Sequence, residues 1–195
     1  MSDPETLAVY GARAEAYDAL AGPPDVEMAA FADALPKGGR VLDLGCGPGT
    51  AAARLMELGL DVEAWDASEA MVERARARGV EARVARFEDL KAEAAYDGVW
   101  AAFSLLHAPR ADLPGLLDRV TRALRPGGRL HLGMKTGSGE RRDGLGRFYA
   151  YWSVAELRAL LEARGLSVAS VREGEEPGLA GTVDPFCVIA ARKSP

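Results

Sequence analysis

Three glycines at alternate positions, Gly45, Gly47 and Gly49, stand directly after a short apolar run, Val41, Leu42 and Leu44, and before Thr50. Residues of these types in this order read as a buried strand, a tight loop and a helix start. Glycine removes the side chain where the backbone turns sharply and comes close to a ligand. The free N–H groups of the following helix point back at the same spot. Together they make a small-molecule site at the carboxyl end of a strand, where open α/β sheets hold their ligands.

The loop chemistry narrows the ligand. A dinucleotide fingerprint reads G-x-G-x-x-G/A, but the sixth position here is Thr50. Asp43 also stands inside the strand-to-loop segment, where a carboxylate beside a diphosphate brings like charges together. The same carboxylate suits a cationic ligand. S-adenosylmethionine (SAM) carries a sulfonium and an ammonium and no phosphate, so the acidic loop tilts the reading from NAD toward SAM. Asp66, about 20 residues on at the end of a second strand, can accept both ribose hydroxyls of an adenosine. Phe87-Glu88-Asp89-Leu90 follows a third strand. Phe87 offers a face for adenine, and either Glu88 or Asp89 can bond its edge.

The elements that position these residues alternate along the chain. Residues 5–20 and 24–35 read as two helices separated at Gly22-Pro23-Pro24. Strands follow at 40–45, 61–66, about 80–85, about 97–103 and 129–134, with helices near 50–58, from Ser68 to Gly79, and from Asp112. In the last of these helices Leu113, Leu116, Leu117, Val120 and Leu124 share one face. A polar, glycine-rich loop is expected over 136–147. A helix over about 153–164 follows, with Ser153 and Glu156 in a capping-box pattern. Strands near 166–173 and 185–192 close the chain, joined by a loop from Gly174 to Asp184. Strand–helix alternation demands parallel pairing with right-handed crossovers. The helix-free last connection demands an antiparallel hairpin. The expectation is a seven-stranded mixed sheet, six strands parallel and one reversed.

Composition bounds the function. The 195 residues suit one domain, and 48% hydrophobic with 27% charged residues is ordinary for a globular protein. A net charge of −5 disfavours non-specific nucleic-acid binding. No apolar run approaches the roughly 20 residues that span a bilayer, and Met1-Ser2-Asp3-Pro4-Glu5 has no signal-peptide character. Two cysteines, Cys46 and Cys187, form no metal or disulfide pattern, so a reducing, cytoplasmic setting is expected. No metal is expected, because Ala101-Ala102-Phe103-Ser104 lacks the carboxylates that hard cations need.

Motif one (LDLGCGPG), the acidic Asp66 and the turn Leu124-Arg125-Pro126-Gly127-Gly128 resemble class I SAM-dependent methyltransferases. The segment from Tyr96, YDGVWAAFSLLHAPRADLPGLLDRVTRALRPGG, is similar to the methyltransferase type 11 and tellurite-resistance-like branch, and the likeness runs from about Tyr10 to Lys193. The resemblance implies a Rossmann-like α/β fold with sheet order 3-2-1-4-5-7-6, strand seven antiparallel. It implies one methyltransferase domain over 1–195, with a helical lid at 1–38 and a core at 39–195. SAM is the implied cofactor and S-adenosylhomocysteine (SAH) the product. Gly45 and Gly47 would contact the methionine part, Asp66 the ribose and Phe87-Glu88 the adenine, and backbone near Ala102 would hold the amino group; Asp43, Cys46, Ala67 and Met71 are expected cofactor contacts as well. Tyr10 and Tyr17 would lie on the lid with Arg13 between them, Tyr17 toward the cofactor, and Tyr10 and Arg13 toward the acceptor. The stretch from Glu173 to Pro195 contains no His and only Arg192 as arginine, which departs from the oxyanion-handling branch.

Methyl transfer from a sulfonium is an in-line displacement that needs alignment and exclusion of water. A base is needed only if the acceptor has a proton to lose. His107, after strand four, is the candidate base, with an ordinary pKa near 6.5. His131 reads as a packed sheet residue. Lys135, Arg141, Arg142 and Arg147 outnumber Glu140 and Asp143 in the segment after strand five, which suggests an anionic small-molecule acceptor near Arg147. The expected protein is a monomer or homodimer with no nucleic-acid or membrane partner. Two rivals stand beside it: an NAD-dependent oxidoreductase and a SAM-binding protein without catalysis.

Overall fold

A computed structural model describes residues 3–20 and 26–195. The expected separation at Gly22-Pro23-Pro24 lies outside them. The centre is a seven-stranded sheet of β1 (Arg40–Leu44), β2 (Asp61–Asp66), β3 (Glu81–Val84), β4 (Tyr96–Ala102), β5 (Leu124–Lys135), β8 (Leu166–Pro177) and β9 (Val183–Lys193). The spatial order is β3-β2-β1-β4-β5-β9-β8. Pairing is parallel from β3 through β5, and β9 runs antiparallel to both neighbours. The expected topology is therefore present. Strand numbers shift because a two-stranded ribbon, β6 (Glu140–Arg142) and β7 (Phe148–Ala150), intervenes.

Period-two alternation divides the core between the two faces of the sheet. Leu42, Leu44, Trp65, Val99 and Ala101 join the cluster that α6 (Leu113–Ala123) and α7 (Val154–Glu162) cover. Val41, Val62, Ala64 and Trp100 join the opposite cluster, under α3 (Val26–Asp33), α4 (Thr50–Glu57) and α5 (Glu69–Ala77). Helix α6 buries Leu113, Leu116, Leu117, Val120 and Ala123, the i, i+3, i+4, i+7 stripe of a one-faced helix. Ser153 and Glu156 form the full reciprocal capping box on α7. His131 is buried and stacks on Trp100 with ring centroids 3.5 Å apart.

Four boundaries differ from the sequence reading, each for a local reason. The first expected helix divides into α1 (Pro4–Ala12) and α2 (Ala14–Leu20), because Arg13 leaves helical geometry at φ −117°. Strand β5 begins at Leu124, which pairs with Tyr96 before the Arg-Pro-Gly-Gly segment bulges and pairing resumes at Gly98–Arg129. The segment after β5 is not all loop, since Arg141 pairs with Tyr149 in the ribbon. The arms β8 and β9 pair as far as Pro177 and Val183, so their connection is shorter than Gly174–Asp184.

Candidate functional site: a cleft over the first two strands

The carboxyl ends of β1, β2 and β4 meet α1 and α2 around a cleft of about 620 Å³ including its open mouth. Three glycines shape its floor. Gly45 has φ +84°, and a Cβ there would lie 2.2 Å from the Ser104 Cβ. Only glycine lets the loop after β1 touch the loop after β4, where the Ser104 hydroxyl donates to the Leu44 carbonyl at 2.5 Å. At Gly49, φ is +82° and a Cβ would stand 2.7 Å from that of Ala75, so this glycine admits α5 against the helix start. The Gly45 and Cys46 N–H groups both donate to the Trp65 carbonyl, at 2.8 and 2.9 Å, and fix the loop beside the end of β2.

Asp66 ends β2 at the cleft. Its Oδ2 accepts the Gly47 N–H at 2.9 Å and its Oδ1 the Ser68 N–H at 2.8 Å. Each oxygen keeps acceptor capacity for one further donor, so the carboxylate is oriented yet still able to take two hydroxyls. Burial raises its pKa, against the pull of these N–H groups. Asp43 lies beneath the loop, 2% exposed, and its Oδ2 has no hydrogen-bond partner among the described residues. Burial first, and the Asp66 charge second, push its pKa up to about 8. A buried, unpartnered acceptor next to a second carboxylate leaves the site short of positive charge. The donor set thus fits a nucleoside with cationic groups and resists a diphosphate.

The cleft brings together Tyr10, Tyr17, Gly45, Gly47, Asp66, Ala67, Met71, Phe87, Ala102 and His107 from the expected set. The others lie elsewhere. Asp43 is under the floor, and the Cys46 thiol is buried and donates to the Gly47 carbonyl at 3.4 Å. Glu88 is half-buried in the turn Phe87–Asp89 beside the cleft, whereas Asp89 is exposed and accepts the Arg86 N–H. Arg13 is exposed at the junction of α1 and α2 and is not among the lining residues. Arg147 is 3% exposed, outside the lining, and is held by Asp143 at 2.6 Å. It donates to the Tyr10 hydroxyl at 3.1 Å. The other basic groups of that segment are engaged too. Lys135 pairs with Asp184, Arg142 with Asp3, and Arg141 lies over the Tyr151 ring.

Asp3, Thr6, Leu7, Phe103 and Ser104 also line the cleft, and sequence reasoning missed them as site residues. For Asp3 and Thr6 a signal existed. Asp3-Pro4 marks a helix start, and the Asp3 Oδ2 accepts the Thr6 N–H at 2.8 Å. Phe103 gave no such signal. It has φ +55°, rare for a side chain with a Cβ. It donates its N–H to the Gly133 carbonyl at 3.0 Å. A Cβ on Gly133 would meet that nitrogen at 2.9 Å, so a glycine on the neighbouring strand makes the conformation possible.

Among known proteins, the family described as a methyltransferase domain matches residues 41–128. The ubiquinone biosynthesis O-methyltransferase of Xanthomonas oryzae pv. oryzae is 38% identical over 103 residues, 49% of this chain and 42% of the relative. The trans-aconitate 2-methyltransferase of Mycolicibacterium gilvum is 43% identical over 90 residues, 45% of this chain and 34% of the relative. The chain thus spans less than half the length of these curated relatives. Among solved structures, DhpI in complex with SAH superimposes with a TM-score of 0.69 at 29% identity, covering 98% of this chain and 96% of that one. Glycine cradle, acidic strand ends, sheet order and these likenesses agree: the chain has the Rossmann-like fold of the SAM-dependent methyltransferases, and its residues 41–128 match their methyltransferase domain.

Proposed function

We propose that this protein transfers a methyl group from SAM to a small-molecule acceptor, mainly by aligning the two and excluding water. The observation that carries the reading is the Asp66 carboxylate, fixed by the Gly47 and Ser68 N–H groups at the rim of a glycine-shaped cleft. SAM, when bound, supplies an activated methyl on a sulfonium. The chain's residues do the rest. Gly45 and Gly47 admit the methionine part, Asp66 holds the ribose, and Ala67, Met71 and Phe87 enclose the adenosine, with Glu88 at the adenine edge. Backbone at Ala102 takes the amino group, and Tyr17 closes over it. Asp43 and Cys46 act from below the floor, Asp43 as the counter-charge to a cation. Helices α1 and α2 serve as the lid, a narrower one than the expected 1–38, because α3 packs into the core against the sheet.

The acceptor side is formed by Leu7, Tyr10, Phe103 and His107, which are mostly apolar or aromatic. Arg147 and its basic neighbours are already paired, and Arg13 lies outside the cleft. We therefore assign a largely uncharged acceptor in place of the anionic one expected from the segment's basic residues. The names of both curated relatives, an O-methyltransferase and a methyltransferase of trans-aconitate, are consistent with a small metabolite. Among the described residues no helix is long and apolar enough to cross a membrane. Cys46 and Cys187 are buried and free, which supports a reducing, cytoplasmic setting. We assign no nucleic-acid partner, and a monomer or homodimer.

Thermal unfolding with SAM, SAH or NADH tests the reading. A ligand at 100 times its Kd stabilises by about 2.7 kcal/mol. SAM and SAH should raise Tm and NADH should not; the reverse pattern refutes the proposal. Formation of SAH from SAM with a pool of small metabolites then distinguishes an enzyme from a binding protein.

A further inference from the structure

The histidine beside the cleft has both ring nitrogens engaged. Its Nδ1 is 2.6 Å from the Phe148 carbonyl. A carbonyl only accepts, so Nδ1 carries the hydrogen and donates it. A neutral imidazole protonated there presents Nε2 as an acceptor, and the Tyr10 hydroxyl donates to it at 2.8 Å. The same hydroxyl oxygen accepts from Arg147 at 3.1 Å, and Arg147 is held by Asp143 through Nε at 2.9 Å and Nη2 at 2.6 Å. The Tyr10 ring meets the His107 ring edge-on at 5.3 Å and the Tyr17 ring edge-on at 5.4 Å.

These contacts cross between two parts of the chain. Tyr10 is on α1, whereas His107 follows β4 and Arg147 and Phe148 are at the ribbon. Two further ties fasten the same helix. The Phe148 N–H donates to the Thr6 hydroxyl at 2.8 Å, and Arg142 reaches both Asp3 oxygens at 2.8 Å. The charged groups facing His107, Arg147 and Lys135 against Asp143, leave burial as the largest influence on its pKa, which falls to about 4. Its lone pair is thus committed to Tyr10 at neutral pH.

We propose that His107 is a positioning residue rather than the base of the reaction: through the Tyr10 hydroxyl it latches α1 over the cofactor cleft. The proposal rests on the methyltransferase reading for what the latch encloses, but not for the latch itself.

Three variants of the intact chain test it: Tyr10→Phe, His107→Ala and His107→Gln. Removing one side of the bond leaves a half-buried polar partner unsatisfied. Without ligand, Tyr10→Phe and His107→Ala should each speed amide hydrogen exchange across residues 4–12 by about tenfold, and SAH should leave each of them faster by a similar factor. His107→Gln should recover most of both, because its amide can accept from Tyr10 and donate to Phe148. Nitrogen NMR of the wild type should show His107 neutral, with the hydrogen on Nδ1, from about pH 5.5 to 8. The latch is overturned if Tyr10→Phe leaves exchange in α1 unchanged. It is equally overturned if His107→Gln behaves as His107→Ala, or if His107 titrates near its ordinary value. Failure of SAH to bind the wild type would sink the cofactor reading, while the exchange measurement would still judge the latch.

Discussion

Asp66 and Asp89 do different work because the backbones around them differ. Asp66 stands where two N–H groups converge, so its geometry is set before any ligand arrives. Hydrogen bonds to a charged acceptor are worth about 1.5–3 kcal/mol each. Asp66→Ala should therefore weaken SAH binding at least tenfold by calorimetry, while Asp89→Ala, at an exposed carboxylate that caps a turn, should leave affinity within about twofold. Equal affinities for Asp66→Ala and wild type would remove Asp66 from the site. These residues were legible in the sequence because glycine and aspartate answer backbone needs that spacing reveals. The partners of His107 were not, because they depend on how α1 seats against Phe148, 142 positions from Thr6.

At the level of elements, the glycines divide into those that hold the site and those that only turn the chain. Gly45 and Gly59 have nearly the same φ, +84° and +86°, but a Cβ at Gly59 would meet nothing within 4 Å. Gly59→Ala should cost about 1–2 kcal/mol of stability, the penalty of a left-handed backbone, with SAH affinity unchanged. Gly45→Ala adds a clash with Ser104 and should abolish measurable SAH binding. Chemical denaturation and calorimetry on the two variants check the contrast. The core strands were legible because they are short apolar runs bounded by turn residues, as in β1, whose last four residues are all buried. The ribbon was not, because its first strand, Glu140-Arg141-Arg142, is polar and exposed and has no buried face. Its order comes instead from cations set over rings, Arg141 over Tyr151 at 3.6 Å and Lys135 over Tyr149 at 4.0 Å. The basic run that suggested an anionic acceptor in the sequence also fastens this ribbon in the fold.

For the whole molecule two site groups, the half-buried His107 and the buried Asp43, tilt stability in opposite directions with pH. His107 has a folded pKa of about 4, below its ordinary 6.5, so the unfolded chain binds more protons in that window. Stability from this residue is full above about pH 6.5 and is lost as pH falls toward 4. Asp43 has a folded pKa of about 8, above its ordinary 3.8, so the folded chain binds more protons, and stability from it is lost as pH rises toward 8. Between about pH 4 and 6.5 the two slopes oppose each other. Above about 6.5 only Asp43 remains of the pair, and Tm of the ligand-free protein should fall from pH 6.5 to 8. Asp43→Asn should flatten that fall and weaken SAM binding. Saturating SAM should flatten it too, because a bound cation favours the carboxylate. A ligand-free Tm that rises across this range, with Asp43→Asn no different, would contradict the assignment.

The central claim is that a sulfonium nucleoside rests over the ends of β1 and β2 with its sugar on Asp66. A crystal structure of the intact chain grown with SAH tests it most directly. The account predicts density in the glycine-floored cleft, with both ribose hydroxyls within hydrogen-bond distance of the Asp66 carboxylate and the adenine beside Phe87. Density for SAH elsewhere, or a ribose turned away from Asp66, would contradict it.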